Sequence, residues 1–352
     1  MDRPFAFDKI PAGPLIVGRS EEIDCILSAL GPGGKSLALY GGIRCGKETV
    51  VTEALERHRD RKKNVIVCDI DLTGVRTPGR FIELWRKKMG VCAEEVNRGA
   101  LLPFEIHLHE IPDGKIFDLP GIIASEAGAQ VVVYFKEFQN LLRLEDEHFR
   151  LESLDKAWSR QHSVRYLMTG SLVNAMKQIF LERRCFYGMS RTLELRPVDR
   201  RLVCEYIQNT FLSFGRVIEM EEALAIDEIA AGNMWYVNQL CSLCYDMPAG
   251  YVNRKIVNQA RDRLLAIHVP HFKQMMLDLT ANQVNLLHAV SDGVRKPTSA
   301  ENLDRYALNS SAGVVRSKEA LVRKEIITFD DEDSPRIIDP VFAWWLRNHY
   351  FN

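Results

Sequence analysis

The most constraining stretch of this sequence is Leu37-Ala38-Leu39-Tyr40-Gly41-Gly42-Ile43-Arg44-Cys45-Gly46-Lys47-Glu48-Thr49. Its apolar run reads as a short buried strand. Gly41, Gly42 and Gly46 read as a turn, and Val50, Val51 and Leu55 continue as the apolar face of a helix. Strand, loop and helix together carry the G-x-x-x-x-G-K frame of a phosphate-binding loop. Glycines let successive backbone N–H groups turn inward as an anion nest, and the helix N-terminus adds the positive end of its dipole. Lys47 would then reach the terminal phosphates as a point charge. One position departs from the frame: where Ser or Thr would offer Mg²⁺ a hydroxyl, this chain has Glu48.

The segments around the loop alternate strand and helix. Val17-Gly18-Arg19 precedes a helix opening at Ser20, whose apolar face is Ile23, Ile26, Leu27 and Leu30. Residues 64–72 read as a second buried strand ending in Asp69 and Asp71. These acids are set aside as metal ligands, because the strand directly follows the loop helix, where such folds place an outer strand. A helix over 81–89 and a weakly patterned stretch over 97–120 with three prolines come next. Gln130–Phe135 is the clearest strand, followed by Lys136 and Glu137. A long charged helix over 145–161, a strand over 165–169 ending in Gly170-Ser171, a helix over 173–180 and a strand over 192–195 complete the series. The alternation predicts an α/β core, a parallel sheet with helices on both faces and its ligand site at the carboxyl ends of the strands. Gly41–Lys47, Lys136–Glu137 and Gly170–Ser171 all fall at those ends.

Beyond Pro197 the strand signal disappears. Residues 199–275 read as several helices, with a break at Ala231–Tyr236, and Cys241-x-x-Cys244 reads as a packed helix face, not as a metal site. After Leu279 three short helices and a hairpin over 326–338, with its turn at 330–335, outline a winged helix. The expected domains are therefore 1–197, 198–275 and 276–352.

The net charge of −1 over 352 residues argues against a chain-wide nucleic-acid or membrane footprint. No apolar run approaches the roughly 18 residues that span a bilayer. The N-terminus lacks a signal-peptide core, and the eight cysteines are scattered, so a cytoplasmic protein with free thiols is expected. Residues 276–352 hold nine basic and eleven acidic residues, a net of −2. DNA-reading domains carry a basic excess, so a protein partner or self-association is favoured over DNA, despite Arg316, Lys318, Arg323 and Lys324 on the candidate recognition helix.

Taken together, Pro4-Phe5-Ala6-Phe7, Gly18-Arg19-Ser20-Glu21-Glu22, the loop itself, Glu137-Phe138-Gln139, Gly170-Ser171, Gly232-Asn233-x-Trp235-Tyr236-Val237, Leu279-Thr280, Ser310-Ser311-Ala312 and Asp339-Pro340-x-Phe342-Ala343-x-Trp345-Leu346 resemble the prokaryotic P-loop ATPases called the archaeal ATPase family, which group with AAA+ and STAND proteins. The resemblance implies an ATP-binding core, a helical lid and a C-terminal winged helix. It also implies a Walker B strand ending in Asp-Glu, where Asp orders Mg²⁺ and Glu polarises the attacking water. Here that pair is Lys136-Glu137, and Gly232-Asn233-Met234 lacks the Pro of the related Gly-x-Pro motif.

With Glu48 and Lys136 at the two metal-facing positions, local charge disfavours a divalent cation. Glu48 and Lys136 are expected to pair across the vacated metal position, or Lys136 to turn to the phosphates. Binding of ATP or ADP at Gly41, Gly42, Ile43, Arg44, Cys45, Gly46, Lys47, Glu48, Thr49, Lys136, Ser171 and Arg19 is expected, without a protein-built metal site. Hydrolysis is expected to be weak or lost. Two alternatives stand beside this reading: a working ATPase using Glu137 with Lys47 and a metal ligand such as Asp69 or Asp71, and an empty-pocket scaffold. Ser171 matches a γ-phosphate sensor, Arg19 with Val17-Gly18 matches the adenine side, and Arg183 and Arg184 sit where an arginine finger would project, or where a helix end meets solvent.

Overall fold

The computed structural model describes residues 4–62, 64–97, 111, 113–248, 250–330 and 332–352. The chain divides into two compact units: Ser20–Gly41 with Lys47–Leu195, and Met1–Arg19 with Gly42–Gly46 and Arg196–Asn352.

In chain order the first unit runs α1 (Ser20–Leu30), β1 (Ser36–Tyr40), α2 (Lys47–Arg61), β2 (Val65–Asp71), α3 (Pro78–Asn97), α4 (Leu119–Ala127), β3 (Gln130–Lys136), α5 (Leu151–Trp158), β4 (Val164–Gly170), α6 (Val173–Lys177) and β5 (Ser190–Glu194). The five strands form one parallel sheet in the order β2-β3-β4-β1-β5. Parallel strands covered on both faces need continuous apolar sequence. Accordingly, all five residues of β1 and the first six of β3 are buried. Against one sheet face lies an aromatic stack in which Trp158 lies 4.5 Å from Tyr166 and 5.3 Å from Phe135, ring centre to ring centre. As expected, β2 is an outer strand.

Several boundaries differ from the sequence reading. The long helix over 145–161 shrinks to α5, because the Asp146 carboxylate accepts the backbone N–H groups of His148 and Phe149 while Glu145 accepts that of Leu151. Side chains that offer the backbone such turns compete with helix. The helix over 173–180 is α6 followed by a π-helical turn at Gln178–Glu182, and β5 begins two residues earlier than read. The helix over 81–89 extends to the full α3. Of the weak stretch over 97–120, residues 98–110 and 112 lie outside the described residues.

The second unit contains α7 (Arg200–Ser213), β6 (Val217–Ile218), α8 (Met220–Ala230), α9 (Met234–Tyr245), β7 (Tyr251–Val252), α10 (Arg254–Leu277), α11 (Ala281–Ser291), α12 (Ala300–Arg305), α13 (Ser311–Arg323), β8 (Ile327–Phe329), β9 (Pro335–Ile337) and α14 (Pro340–Trp345). Here too a correction is needed: β6 and β7 pair in parallel, but two-residue strands leave no readable periodicity. Cys241 and Cys244 lie fully buried on α9, and burial pushes the Cys244 thiol up to about 12. Pro270 lies inside α10. The predicted three helices and hairpin are α11, α12, α13 and the antiparallel β8–β9 pair. The C-terminus docks through Phe351 stacked at 4.2 Å on His288 and Arg347 donating to the Ser291 carbonyl. Among the described residues, no helix is long and apolar enough to cross a membrane.

Gly232 ends the turn between α8 and α9. Its φ is +71°, its N–H donates to Asp227, and a Cβ there would lie 2.4 Å from the Val198 carbonyl oxygen. Gly232→Ala should therefore lower unfolding free energy by about 2 kcal/mol or more, read by urea denaturation. A loss within a few tenths would mean the turn relaxes freely.

Candidate functional site

In the first unit the carboxyl ends of β1, β2, β3 and β4 share one edge of the sheet. The Gly41 N–H donates to the Gly170 carbonyl, tying the exits of β1 and β4. Lys47 opens α2 and is buried, its Nζ donating to the Gly41 carbonyl at 2.8 Å. The Lys136 ammonium, at the end of β3, lies 2.6 Å from Glu48 Oε1 and 3.2 Å from Asp69 Oδ2. Burial pulls the Lys136 pKa down, but hydrogen bonds and charge from Glu48 and Asp69 outweigh it, leaving the group above the ordinary lysine value. The three side chains make an internal carboxylate–ammonium–carboxylate bridge.

Glu137 follows with φ +54°, and its carboxylate accepts from Ser171 Oγ and from Gln139 Nε2 at 2.7 Å. A side chain at Gly170 would lie 2.4 Å from Met176 Cγ and 2.5 Å from Gln139 Oε1, so the β4 exit is closed to anything larger.

The tip of the loop, Gly42–Gly46, packs in the second unit. Gly46 has φ +98°, which a glycine adopts at little cost. Arg44 has φ +60°, and for a residue with a side chain that conformation costs on the order of 1–3 kcal/mol. Its guanidinium stacks 3.8 Å from the centre of the Trp235 ring. A cation over an indole contributes about 0.5–2 kcal/mol, which helps offset that strain. Arg19 is buried and bridges the carbonyls of Arg196 at 2.7 Å and Cys45 at 3.3 Å. Ile43 is exposed, and Thr49 on the first turn of α2 is half-buried. Leu15, Ile16 and Val17, just before Arg19, line with α7 an open groove of about 460 Å³.

The structure thus gathers Gly41, Lys47, Glu48, Lys136, Glu137 and Ser171 at one sheet edge, and Arg19, Gly42, Arg44 and Cys45 at the loop tip. Arg183 projects to no free position. It binds Glu145 and Glu152 at 2.5 and 2.6 Å, while Arg184 is exposed beside Tyr187. Asp69, set aside in the sequence reading as a metal ligand, is the residue that completes the Lys136 bridge. Gln139 and Trp235 appear in the sequence only as members of motifs. Their positions follow from strand register and from the loop's backbone, which spacing does not encode.

A family model described as "Probable winged helix domain" matches residues 270–348. No curated protein matches the sequence significantly. Among solved structures, a Walker-type ATPase of Pyrococcus abyssi has a TM-score of 0.72 at 16% identity over 98% of this chain and 99% of that one. The Aeropyrum pernix ORC2 protein in ADPNP–ADP complexes has a TM-score of 0.61 at 13% identity, covering 98% and 95%. The Aeropyrum pernix ORC1 protein in complex with DNA has a TM-score of 0.52 at 15% identity, covering 97% and 94%. At these identities the likeness is one of fold: a P-loop core of the AAA+ type and a C-terminal winged helix.

Two measurements test the charges described. A double-mutant cycle on Glu48→Gln and Lys136→Met should return a coupling of about 0.5–1 kcal/mol, the value for a partly solvated pair, and zero would mean the ions are separated by water. The hydrogen bonds from Arg183 hold Glu145 and Glu152 below the usual carboxylate range. Their stabilisation is present above the unfolded-state glutamate pKa and is lost as pH falls through the depressed values. Arg183→Met should therefore lose less stability than the unmodified protein between about pH 5 and 3, and parallel acid curves would contradict it.

Proposed function

We propose that this chain is a nucleotide-binding switch protein of the archaeal ATPase type, holding ATP or ADP at Gly41–Thr49 with weak or absent hydrolysis. The observation that carries the reading is the Lys136 bridge: an ammonium bound into the chain occupies the space between Glu48 and Asp69. The ORC2 protein of similar fold is described in ADPNP–ADP complexes, and the strand–loop–helix here carries the frame of a phosphate-binding loop. The loop amides and Lys47 would hold the phosphates. Arg19, joined to the loop at the Cys45 carbonyl, and Val17-Gly18 would face the base. Ser171 would sense the terminal phosphate. The domains would be a core over 1–197, a lid over 198–275 and a winged helix over 276–352.

Magnesium, which this fold type implies, does not fit these residues. The hydroxyl position is a carboxylate, the Asp position is a lysine, and the ammonium of that lysine stands between the carboxylates of Asp69 and Glu48. Glu137, engaged by Ser171 and Gln139, is held where it is, and no hydrolytic step is assigned to it. The winged helix is read as a protein-binding or self-associating element. Of its basic residues, Lys318 lies 3.8 Å from the Phe329 ring and 3.5 Å from Asp333, which leaves it poorly placed for a phosphate backbone.

Calorimetric titration of ATP and ADP, each in EDTA and in Mg²⁺, tests the reading, with Lys47→Ala as control. Binding of comparable strength in EDTA, reduced at least ten-fold by Lys47→Ala and accompanied by negligible steady-state phosphate release, is expected, a ten-fold loss being about 1.4 kcal/mol. Binding that requires Mg²⁺ would overturn the metal-free part. No binding in either buffer would overturn the nucleotide reading itself.

A further inference from the structure

We propose that Arg44 is an anion-released latch, which ties the tip of the phosphate-binding loop to the winged helix until an anion enters the loop. The inference rests on the nucleotide reading for the identity of that anion, and on the geometry of the second unit for the tie.

The phosphate-loop frame requires glycines and Lys47 but no charge at residue 44, so Arg44 is an added cation. Its guanidinium is stacked on Trp235 from a left-handed backbone position that a side chain rarely adopts. Trp235 is itself immobilised. Its indole N–H donates to the Phe7 carbonyl at 2.9 Å, and Phe7, Tyr236 and His268 lie edge-on around it. The next residue passes the tie onward: the Tyr236 hydroxyl donates to Asp339 Oδ2 at 2.8 Å, while Asp339 Oδ1 accepts the Phe342 N–H and caps α14. The loop backbone also passes close by the hairpin, since a Cβ added at Gly42 would lie 3.2 Å from the side chain of Ile338, the neighbour of Asp339. The loop tip thus meets Trp235 through Arg44, and the neighbouring Tyr236 carries the connection to Asp339 at the end of the winged-helix hairpin.

The direction of the switch follows from the partners. Trp235 is the second residue of α9, whose N-cap is Asn233. A helix N-terminus disfavours a cation, so the guanidinium is kept there by the ring face and by the nearby Asp339 carboxylate that the Tyr236 hydroxyl binds. A phosphate in the loop offers charge-assisted bonds that an indole does not, so Arg44 moves to it. Breaking the Trp235 contact uncouples the loop from Tyr236 and Asp339. By reciprocity, whatever weakens the tie to Asp339 strengthens anion binding.

Hydrogen exchange on the full-length chain tests this, with Arg44→Met, which keeps the aliphatic stem, and Tyr236→Phe, each checked against the unmodified protein's thermal midpoint. Without ligand, Arg44→Met should accelerate exchange of the amides of Asp339, Val341, Phe342 and Ala343 about five-fold or more. Saturating ADP in EDTA should bring the unmodified protein to the same rates and leave Arg44→Met unchanged although ADP still binds. Tyr236→Phe should tighten ADP binding by about five-fold, the lower end of coupling between sites. Equal ligand-free rates for Arg44→Met and the unmodified protein would overturn the latch. So would unchanged rates in the unmodified protein once ADP is bound. Failure of ADP to bind at all would remove the nucleotide reading and the release step together, while the ligand-free comparison would still decide the tie.

Discussion

Strand β1 has no edge. Parallel ladders to β4 and β5 consume its backbone groups on both sides, and all five of its residues are buried. Such a strand has to hand the chain over at its carboxyl end, and Gly41 does so with its N–H already spoken for by Gly170. The rest of the candidate site inherits its position from this constraint. The register that puts Tyr40 beside Gly170 brings Ser171 to the same edge, and β3, paired with β4, delivers Lys136 and Glu137. A register slip of one residue in either ladder would turn those side chains to the other face.

Lys136 shows how modest the energetics of such a site can be. Its side chain is 27% exposed, with Glu48 and Asp69 at 48% and 47%, so water screens each pair and little folding stability comes from them. What the bridge supplies is charge placement. Three residues from α2, β2 and β3 leave a net single negative charge where two carboxylates alone would have doubled it, and the ammonium stays protonated because both carboxylates favour its charged form.

Much of the core was legible because its strands are apolar on both faces, so Leu37–Tyr40 and Val131–Phe135 announce themselves without alternation. The frame Gly41–Lys47 and the substitutions Glu48 and Lys136 were legible for the same chemical reason that they matter: the residue types are wrong for the frame. Asp69 was not. It alternates with buried Cys68 and Ile70, which fixes its face, but only the pairing of β2 with β3 says what that face meets. Glu145 and Asp146 looked helical by charge pattern and instead cap a turn with their own carboxylates. Arg44 sat in plain view within the loop, yet its contact with Trp235 spans 191 positions of sequence, from 44 to 235, and depends on a backbone angle that no periodicity reports.

The 24 residues of α10, about 36 Å of helix, run unbroken through Pro270, the first residue of the winged-helix match. Proline has no N–H, so the carbonyl of Ala266 lacks its usual donor and the rod is softened at one point. A flexible linker would let the C-terminal module wander. A softened rod instead concentrates whatever bending the helix undergoes at Pro270, one position where the two ends of α10 are joined by one hydrogen bond fewer.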